Sequence, residues 1–394
     1  MPFGYLITVC VLALAVWSAL APRRRPPLVR AIQYRIGVGA GELPFVVLAL
    51  LVAATALAFA EGDVDSAGAW VAVAIAALTA VGAGVIVRRS LAAPPAVAAA
   101  SAEGLGSRLE IRLPWARILL WPFPILRREV RIARNLSYGD AGRRNRLDLY
   151  ASRSRPEGGP ILVYVHGGRF RSGRKSREAR PLLNRLAARG WVCLSANYRL
   201  NPEASFPDQL VDLKKAIAWA RANAPAHGGD PSRVFVAGSS AGAHMAAMAA
   251  LTPGEPALQP GFEEADTSVS GAICLYGYYG RLHTPFAPSS PLDCPMESAP
   301  PFFITHGDRD TIMSADGART LAHELRERSS SPVVYAELPG AQHGFDLVHS
   351  IRFEAVIDGI EALLERALAG PGDGTGQAEG ATPAGRPDRV ARAR

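Results

Sequence analysis

The sequence lacks the residue patterns that hold small disulfide-rich domains or metal sites together. Its four cysteines, at positions 10, 193, 274 and 294 of 394 residues, show no short-range pairing. Two of them fall in predicted core strands, which favours a reduced compartment and implies no metal site. No zinc-like or nucleic-acid-binding motif accompanies the net charge of +8. The arginine clusters lie beside apolar segments, so we expect a membrane surface as partner and no nucleic acid.

Charged side chains are absent from three apolar runs, at residues 3–21, 43–60 and 67–87. These runs of 19, 18 and 21 residues can each cross a bilayer core, which needs about 20 helical residues. A cleaved signal peptide is the alternative for the first run. The arginines follow that run instead of preceding it, which favours a span. We therefore predict a multi-pass transmembrane region over residues 1–90.

Arginine is unevenly distributed between these runs. The second and third runs are separated only by acidic charges, and Arg88 and Arg89 follow the third run. Short loops rich in Lys and Arg stay on the cytoplasmic side of a membrane. The pattern therefore predicts an outside N-terminus and places the remainder of the chain on the cytoplasmic side of the cell membrane. The arginines between the first two runs are Arg23, Arg24, Arg25, Arg30 and Arg35.

Two further segments differ in composition from a packed domain. Residues 91–128 are predicted to be a linker, in which Trp115 and Trp121 alternate with arginines. Such a segment fits either the membrane interface or a cap packed on the next domain. Residues 370–394 are rich in Gly, Pro, Ala and Arg, and are predicted to form a disordered tail.

Residues 129–369 alternate between short apolar strands and helices, which predicts an α/β domain. Strands separated by helices imply a mostly parallel sheet of about eight strands covered on both faces, with an antiparallel pair at its start. Strands are predicted at 130–138, 146–150, 161–165, 192–196, 234–237, 272–276, 302–305 and 333–338. Helices are predicted at 178–189, 208–223, 241–251, 315–329 and 351–368.

Segment 238–242, with the sequence G-S-S-A-G, ends a predicted strand and opens a predicted helix. This is the pattern of a nucleophile elbow, in which a central serine occupies a strained bend between small neighbours. Ser240 is the central residue, flanked by Gly238 and Gly242, while Ser239 is one position too early. The motif alone is weak, and the strand before it and helix after it give it weight.

A serine nucleophile needs a histidine base and an acid to orient that histidine. The sequences H-G-D-R-D at 306–310 and H-G-F at 343–345 follow two later strands. Because the carboxyl ends of parallel strands share one edge of a sheet, Ser240, Asp310 and His343 can converge there. Asp308 is the alternative acid, and His306 and His244 are interpreted as structural hydrogen-bonding residues.

A glycine pair follows the third predicted strand, in the sequence H-G-G at 166–168. Acyl transfer passes through an oxyanion that needs N–H donors already in place, and glycine lets the backbone approach closely. We expect these donors to be the amides of Gly167, Gly168 and Ala241, with His166 supporting the motif. The basic segment 169–177 beside them fits either contact with anionic groups or a solvated loop.

Residues from about 130 to 368 resemble an α/β-hydrolase of the hormone-sensitive-lipase-like esterase group. Together with the apolar runs, the whole resembles membrane-anchored bacterial lipases and esterases of that group. The matching segments are 166–168, N-Y-R-L-N-P-E at 197–203, F-P-D-Q-L at 206–210, G-D-P-S-R at 229–233, the elbow, 306–310 and 343–345. The resemblance implies hydrolysis of carboxylic esters through an acyl-enzyme and makes Asp310 the preferred acid.

The expected function is therefore a membrane-anchored serine esterase or lipase that acts on lipid-like esters and needs no cofactor or metal. A peptidase or an acyltransferase can use the same triad, because all three share the acyl-enzyme. A catalytically idle membrane protein that binds a lipid or a partner is the alternative from another class.

Overall fold

The computed structural model describes residues 3–21, 27–124, 127–154 and 157–369. The predicted tail at 370–394 and the arginines Arg23, Arg24 and Arg25 lie outside the described residues. The N-terminal part is helical, and the remainder is an α/β domain. The helices that precede the first strand are α1 (Phe3–Leu20), α2 (Pro27–Glu42), α3 (Pro44–Ala60), α4 (Ala67–Ser90), α5 (Ala93–Leu105) and α6 (Trp115–Leu120).

Two N-terminal helical runs, Phe3–Leu20 and Ala67–Leu105, are long and apolar enough to cross a membrane. The second predicted span corresponds to α3, which meets the end of α2 at a bend of 89°. The described part of the chain therefore holds two candidate spans, or three if this bent pair is one broken span. Large apolar side chains such as Trp17, Leu50 and Leu78 point outward from these helices, as expected of surfaces that face lipid.

Residues 27–42 form α2, although the sequence predicts a loop between the first two apolar runs. The glycines that weaken helix propensity here also allow close packing. A Cβ on Gly37 would lie 3.0 Å from the backbone of Ser18, so α2 lies directly against α1. Tertiary contact with α1 thus outweighs the low intrinsic propensity of the segment.

All eight predicted strands are present and form one sheet in the order β1-β2-β4-β3-β5-β6-β7-β8. The β1–β2 and β2–β4 pairs are antiparallel, and the other neighbours are parallel. The strands are β1 (Val130–Ser137), β2 (Arg146–Ser152), β3 (Gly159–Val165), β4 (Val192–Ala196), β5 (Gly229–Ser239), β6 (Gly271–Leu275), β7 (Phe302–Gly307) and β8 (Val333–Leu338).

Helices cover both faces of this sheet because alternate residues of each strand point to opposite sides. In β3, Ile161, Val163 and Val165 join one buried cluster, whereas Leu162 and Tyr164 join the other. The five helices of this part are α7 (Arg180–Ala188), α8 (Asp208–Asn223), α9 (Ala241–Leu251), α10 (Asp316–Arg328) and α11 (Ile351–Ala369).

Helix α5 belongs to the α/β core, although residues 91–128 were assigned from the sequence to a linker or cap. Ala93, Val97 and Ala100 are buried in the second of the two clusters. A Cβ on Gly359 of α11 would lie 2.7 Å from Val97 Cγ1, so the two helices pack closely. Small residues on both helices make this approach possible, and the α/β layer structure therefore begins before residue 129.

Candidate active site

Ser240 occupies the turn between β5 and α9, with φ 55° and ψ −115°. This strained backbone requires small neighbours. A Cβ on Gly238 would lie 2.2 Å from the backbone of Gly242, and a Cβ on Gly242 would lie 2.3 Å from the Val165 carbonyl oxygen. The Ser240 N–H donates to the carbonyl of Leu275 on β6 at 2.8 Å, which fixes the turn to the sheet.

The structure brings Ser240, His343 and Asp310 together at the carboxyl edge of the sheet. The Ser240 hydroxyl lies 2.9 Å from His343 Nε2, and His343 Nδ1 lies 2.6 Å from Asp310 Oδ2. An Nδ1–H that donates to the carboxylate leaves Nε2 free to accept the serine proton. Ser240 is only 5% exposed and His343 only 7%, so these bonds are shielded from bulk water.

Backbone amides hold the Asp310 carboxylate in place. Its Oδ1 accepts from the N–H groups of Ile312 at 2.7 Å and Met313 at 2.8 Å, and its Oδ2 also lies 3.2 Å from His306 Nε2. Burial alone would raise the pKa of Asp310, but its bonds to His343 and His306 lower the pKa below its ordinary value. The acid is thus held ionised, in the form that can orient and stabilise an imidazolium.

Asp308, the alternative acid, binds a backbone amide instead of His343. Its Oδ1 accepts the N–H of Gly340 at 2.7 Å, so it closes the turn after β8. Burial raises the pKa of Asp308. Asp308 therefore stabilises the loop that bears His343 and does not contact the imidazole.

The remaining sequence candidates lie near Ser240 but make structural contacts. Ser239 donates to Asp346 at 2.6 Å and accepts from Tyr164 at 2.8 Å. His166 and His244 bond to backbone carbonyls through Nδ1 at 2.6 and 2.9 Å. Burial lowers the pKa of each of these histidines to about 4, which keeps both neutral near pH 7. His166 also stacks on a buried tyrosine.

The glycine pair lies beside Ser240, but its two amides differ. The N–H of Gly167 donates to Glu178 Oε2 at 2.6 Å, so this expected oxyanion donor is already bonded to a carboxylate. Within the described residues, the amides of Gly168 and Ala241 have no acceptor. Gly168 has φ +116°, and a Cβ there would lie 2.0 Å from the Ser172 carbonyl oxygen. The loop conformation therefore requires glycine at position 168.

Two carboxyl groups close to Ser239 and the glycine pair were not predicted from the sequence. Asp346 accepts from Ser239 and, at 2.5 Å, from the hydroxyl of Tyr276, whereas Glu178 accepts the Gly167 amide. Burial raises the pKa of both carboxyl groups. The negative charge of Asp346 raises the pKa of Glu178 further. Asp346 directly follows the H-G-F motif, which is a usable sequence signal. Glu178 has none, because only the fold brings it to the glycine loop.

Aromatic rings form the other side of the site, around His244 on the first turn of α9. Phe170 and Phe206 contact its imidazole edge-on at centroid distances of 6.2 and 5.9 Å, and Tyr278 stacks on it at 6.0 Å. Phe286 in turn packs against Phe206. An apolar wall of this kind on the helix that follows Ser240 suits the acyl or alcohol part of an ester.

The basic segment 169–177 divides into exposed and buried parts. Lys175 is turned inward, 2.5 Å from Asp148, and its backbone N–H donates to Asn197. Arg169, Arg171 and other arginines of the segment remain exposed. The buried lysine therefore fixes the loop while the arginines face solvent.

The ends of the N-terminal helices contact the loops of the site. The carbonyl of Leu20, the last residue of α1, accepts from Arg89 and from Arg309, the neighbour of Asp310, at 3.2 Å each. Arg352 is almost fully buried and forms an ion pair with Glu42 of α2 at 2.9 Å. The helical region is thus joined to the loop that bears Asp310 and to the first turn of α11, which follows the loop that bears His343.

A sheet of this topology, with a strained serine between its fifth strand and the following helix, defines the α/β-hydrolase class. The family model described as BD-FAE matches residues 147–279. The chain is also 35% identical over 312 residues to the esterase LipC of Mycobacterium tuberculosis, covering 71% of this chain and 77% of LipC. The chain therefore belongs to the α/β-hydrolase esterases of the hormone-sensitive-lipase-like group.

Two further similarities agree with this family. The probable carboxylic ester hydrolase LipM of Mycobacterium tuberculosis is 38% identical, over 60% of this chain and 61% of LipM. The chain thus spans about three fifths of LipM. A truncated carbohydrate esterase from gut microbiota has a solved structure that covers 60% of this chain and 96% of its own, with 22% identity and a TM-score of 0.51. This last similarity concerns the fold alone.

Proposed function

We propose that the protein is a membrane-anchored serine carboxylesterase that hydrolyses lipid-like esters. The observation that supports this best is the continuous chain of contacts from Ser240 Oγ through His343 to Asp310, at 2.9 and 2.6 Å. The names of LipM and LipC, a probable carboxylic ester hydrolase and an esterase, support the same reaction.

In the proposed acylation step, Ser240 Oγ bonds to the ester carbonyl carbon while its proton passes to His343 Nε2. The carbonyl oxygen becomes an oxyanion, which the amides of Gly168 and Ala241 stabilise. Asp310 orients the imidazole and stabilises its positive charge. The bond from the carbonyl carbon to the alcohol oxygen then breaks, and His343 returns its proton to the departing alcohol.

Deacylation repeats these steps with water. His343 accepts a proton from water, whose oxygen bonds to the acyl carbon, and the oxyanion again faces Gly168 and Ala241. The bond to Ser240 Oγ breaks, and the serine recovers its proton from His343. The carboxylic acid leaves and the enzyme returns to its starting state.

The membrane part of the proposal is supported by where charged residues lie on the helices. The end of α1, the start of α3 and the end of α4 lie on the side of the α/β domain, and Arg88 and Arg89 are at the end of α4. The opposite turn, between α3 and α4, contains Glu61, Asp63 and Asp65. This distribution favours a cytoplasmic α/β domain.

A lipid-like substrate is favoured because the site lies next to these helix ends and is lined by aromatic rings. The test is a series of p-nitrophenyl esters of increasing acyl length, assayed with full-length protein in detergent and in bilayers. We expect higher kcat/KM for longer chains and a gain in bilayers. Equal rates at every length with no bilayer effect would leave a general esterase and contradict the lipid assignment.

Orientation requires a separate experiment. If the C-terminus lies in the cytoplasm, a C-terminal fusion to a reporter enzyme that works only in the cytoplasm should be active. A fusion to a reporter that works only outside the membrane should be inactive. Activity on the outer side alone would contradict the proposed topology without bearing on the hydrolase chemistry.

A further inference from the structure

A cavity of about 770 Å³ opens beside the short helix α6, away from Ser240. Its lining combines aromatic and basic side chains. The backbone N–H of His349 donates to the carbonyl of Pro122 at 2.7 Å, which fastens one wall to the loop before α11. The lining includes Trp115, Arg117, Trp121, Phe123, Arg127, Arg128, Glu129 and His349.

Three of these residues, Arg117, Arg127 and Arg128, form no ion pair within the part of the chain that the structure describes. Arg127 is half-buried, and burial together with the charge of Arg117 lowers its pKa. Glu129 is the one carboxylate in the described lining of this cavity. The arginines therefore give the cavity an excess of positive charge that an anion would compensate.

Arg117 and Arg127 also border a neighbouring cavity that contains several carboxylates, most of which are bound by other arginines. Arg185 lies 3.3 Å from Glu354 and 2.5 Å from Glu361, and it also forms an ion pair with Asp358. Arg189 adds a second contact to Glu361 at 2.9 Å. The three arginines of the lining thus outnumber its one carboxylate, Glu129, and Glu354 is a further carboxylate whose charge acts on Arg127.

The apolar side of the cavity points to a membrane. Trp115 contacts Phe45 on the first turn of α3, a candidate membrane helix, with ring centroids 6.3 Å apart. Trp121, Phe123 and Leu120 are more than half exposed, at 59, 55 and 65%. Tryptophans beside arginines at the end of a membrane helix are typical of the headgroup region of a bilayer.

We propose that this cavity binds the phosphate-bearing headgroup of an anionic phospholipid through Arg117, Arg127 and Arg128, with the acyl chains along Trp121, Leu120 and α3. The exposed aromatic rings decide between a lipid and free phosphate, since an inorganic ion would use only the arginines. The site is separate from the proposed esterase chemistry and acts as a lipid contact that orients the α/β domain on the membrane.

The test measures lipid retention by native mass spectrometry of full-length protein released from nanodiscs. The nanodiscs contain phosphatidylcholine alone or with phosphatidylglycerol. We expect the wild type to retain phosphatidylglycerol preferentially. In Arg117→Gln/Arg127→Gln this preference should fall roughly 30-fold, if each arginine contributes as an ordinary juxtamembrane basic residue does. The matched control is Arg143→Gln/Arg146→Gln, which removes two exposed arginines near the β1–β2 turn.

Equal retention of both lipids by the wild type would overturn the proposal, as would an equal loss in the control. Loss of bound phosphatidylglycerol on addition of inorganic phosphate alone would show an anion site that does not select lipid, and would also overturn it. Hydrolysis of a soluble ester by the double variant shows that it is folded. If the double variant does not fold, Arg128→Gln at the exposed rim provides the same comparison and should lower the preference several-fold.

Discussion

The phenol ring of Tyr34 packs edge-on against the imidazole of His343, with ring centroids 6.1 Å apart. Tyr34 lies on α2, more than three hundred residues before the histidine it contacts. Its hydroxyl also fills the space next to Gly344, where a Cβ would lie 2.8 Å from that oxygen. An N-terminal helix therefore forms one wall beside the proposed base, so it contributes to the site as well as to the proposed membrane anchor.

Replacement of Tyr34 by alanine is expected to lower kcat on a short-chain ester about threefold to tenfold, because an aromatic pair contributes about 1 kcal/mol to positioning. Tyr34→Phe keeps the ring and should remain close to wild type. Steady-state kinetics of the full chain in detergent measures both. Trp17→Ala on the exposed face of α1 is the control, and unchanged kcat in Tyr34→Ala would contradict a role for α2 in the site.

Two neighbouring aspartates should respond very differently to the same substitution. Asp310→Asn removes the carboxylate that accepts the Nδ1–H of His343 and favours the wrong tautomer, so we expect kcat to fall about 10⁴-fold. Asp308→Asn changes a turn residue and should leave kcat within about threefold of wild type, as surface changes usually do. A larger loss in Asp308→Asn than in Asp310→Asn would reverse the assignment of the acid.

The position of Asp310 could be predicted from the sequence because strand, motif and order along the chain agree. The eight strands were recognised from short apolar runs between helices, and parallel pairing brings their carboxyl ends to one edge. The elbow was recognisable for the same reason, since Gly238 and Gly242 are required by local backbone contacts. Such features depend on neighbours close in sequence.

Other features depend on contacts between distant segments and could not be predicted in this way. Helix α2 is stabilised by packing of Gly37 on Ser18 and by the buried Arg352–Glu42 ion pair. No periodic pattern in the sequence indicates either contact. The hydrogen bond from the Gly167 amide to Glu178 likewise forms only in the folded chain. The oxyanion donors expected from the sequence therefore included an amide that already donates to a carboxylate.

Glu178 should make stability depend on pH. Burial and then Asp346 raise its pKa from 4.5 to about 7. A carboxyl group with a raised folded-state pKa binds more protons when folded, so the free energy of unfolding falls as pH rises through this window. That window extends from about pH 5 to about pH 7. Between these two pH values, Tm should fall less in Glu178→Gln than in the wild type.

This pH dependence is measured by thermal unfolding of the full chain in detergent. The control is Glu327→Gln, which removes an exposed carboxylate of α10 and should keep the wild-type slope. Parallel curves for wild type and Glu178→Gln would show that this carboxyl group does not titrate as described.

Glu178 also positions the glycine loop by accepting the Gly167 amide. Its effect on kcat can therefore be tested separately from its effect on stability. Glu178→Gln retains an oxygen that can accept the Gly167 amide and should keep kcat within a few-fold of wild type. Glu178→Ala leaves that amide without its acceptor and should lower kcat about tenfold or more, since misplaced oxyanion donors weaken transition-state stabilisation. Equal kcat in the two variants would contradict a positioning role.

The most direct test of the proposed chemistry is covalent labelling of Ser240 by a fluorophosphonate, combined with hydrolysis of a p-nitrophenyl ester. We expect one label on the wild-type chain at Ser240, no label on Ser240→Ala, and a loss of at least about 10⁴-fold in kcat for that variant. Ser239→Ala should retain both labelling and activity to a measurable degree. Ester hydrolysis at the wild-type rate by Ser240→Ala would contradict the role of Ser240 as the nucleophile.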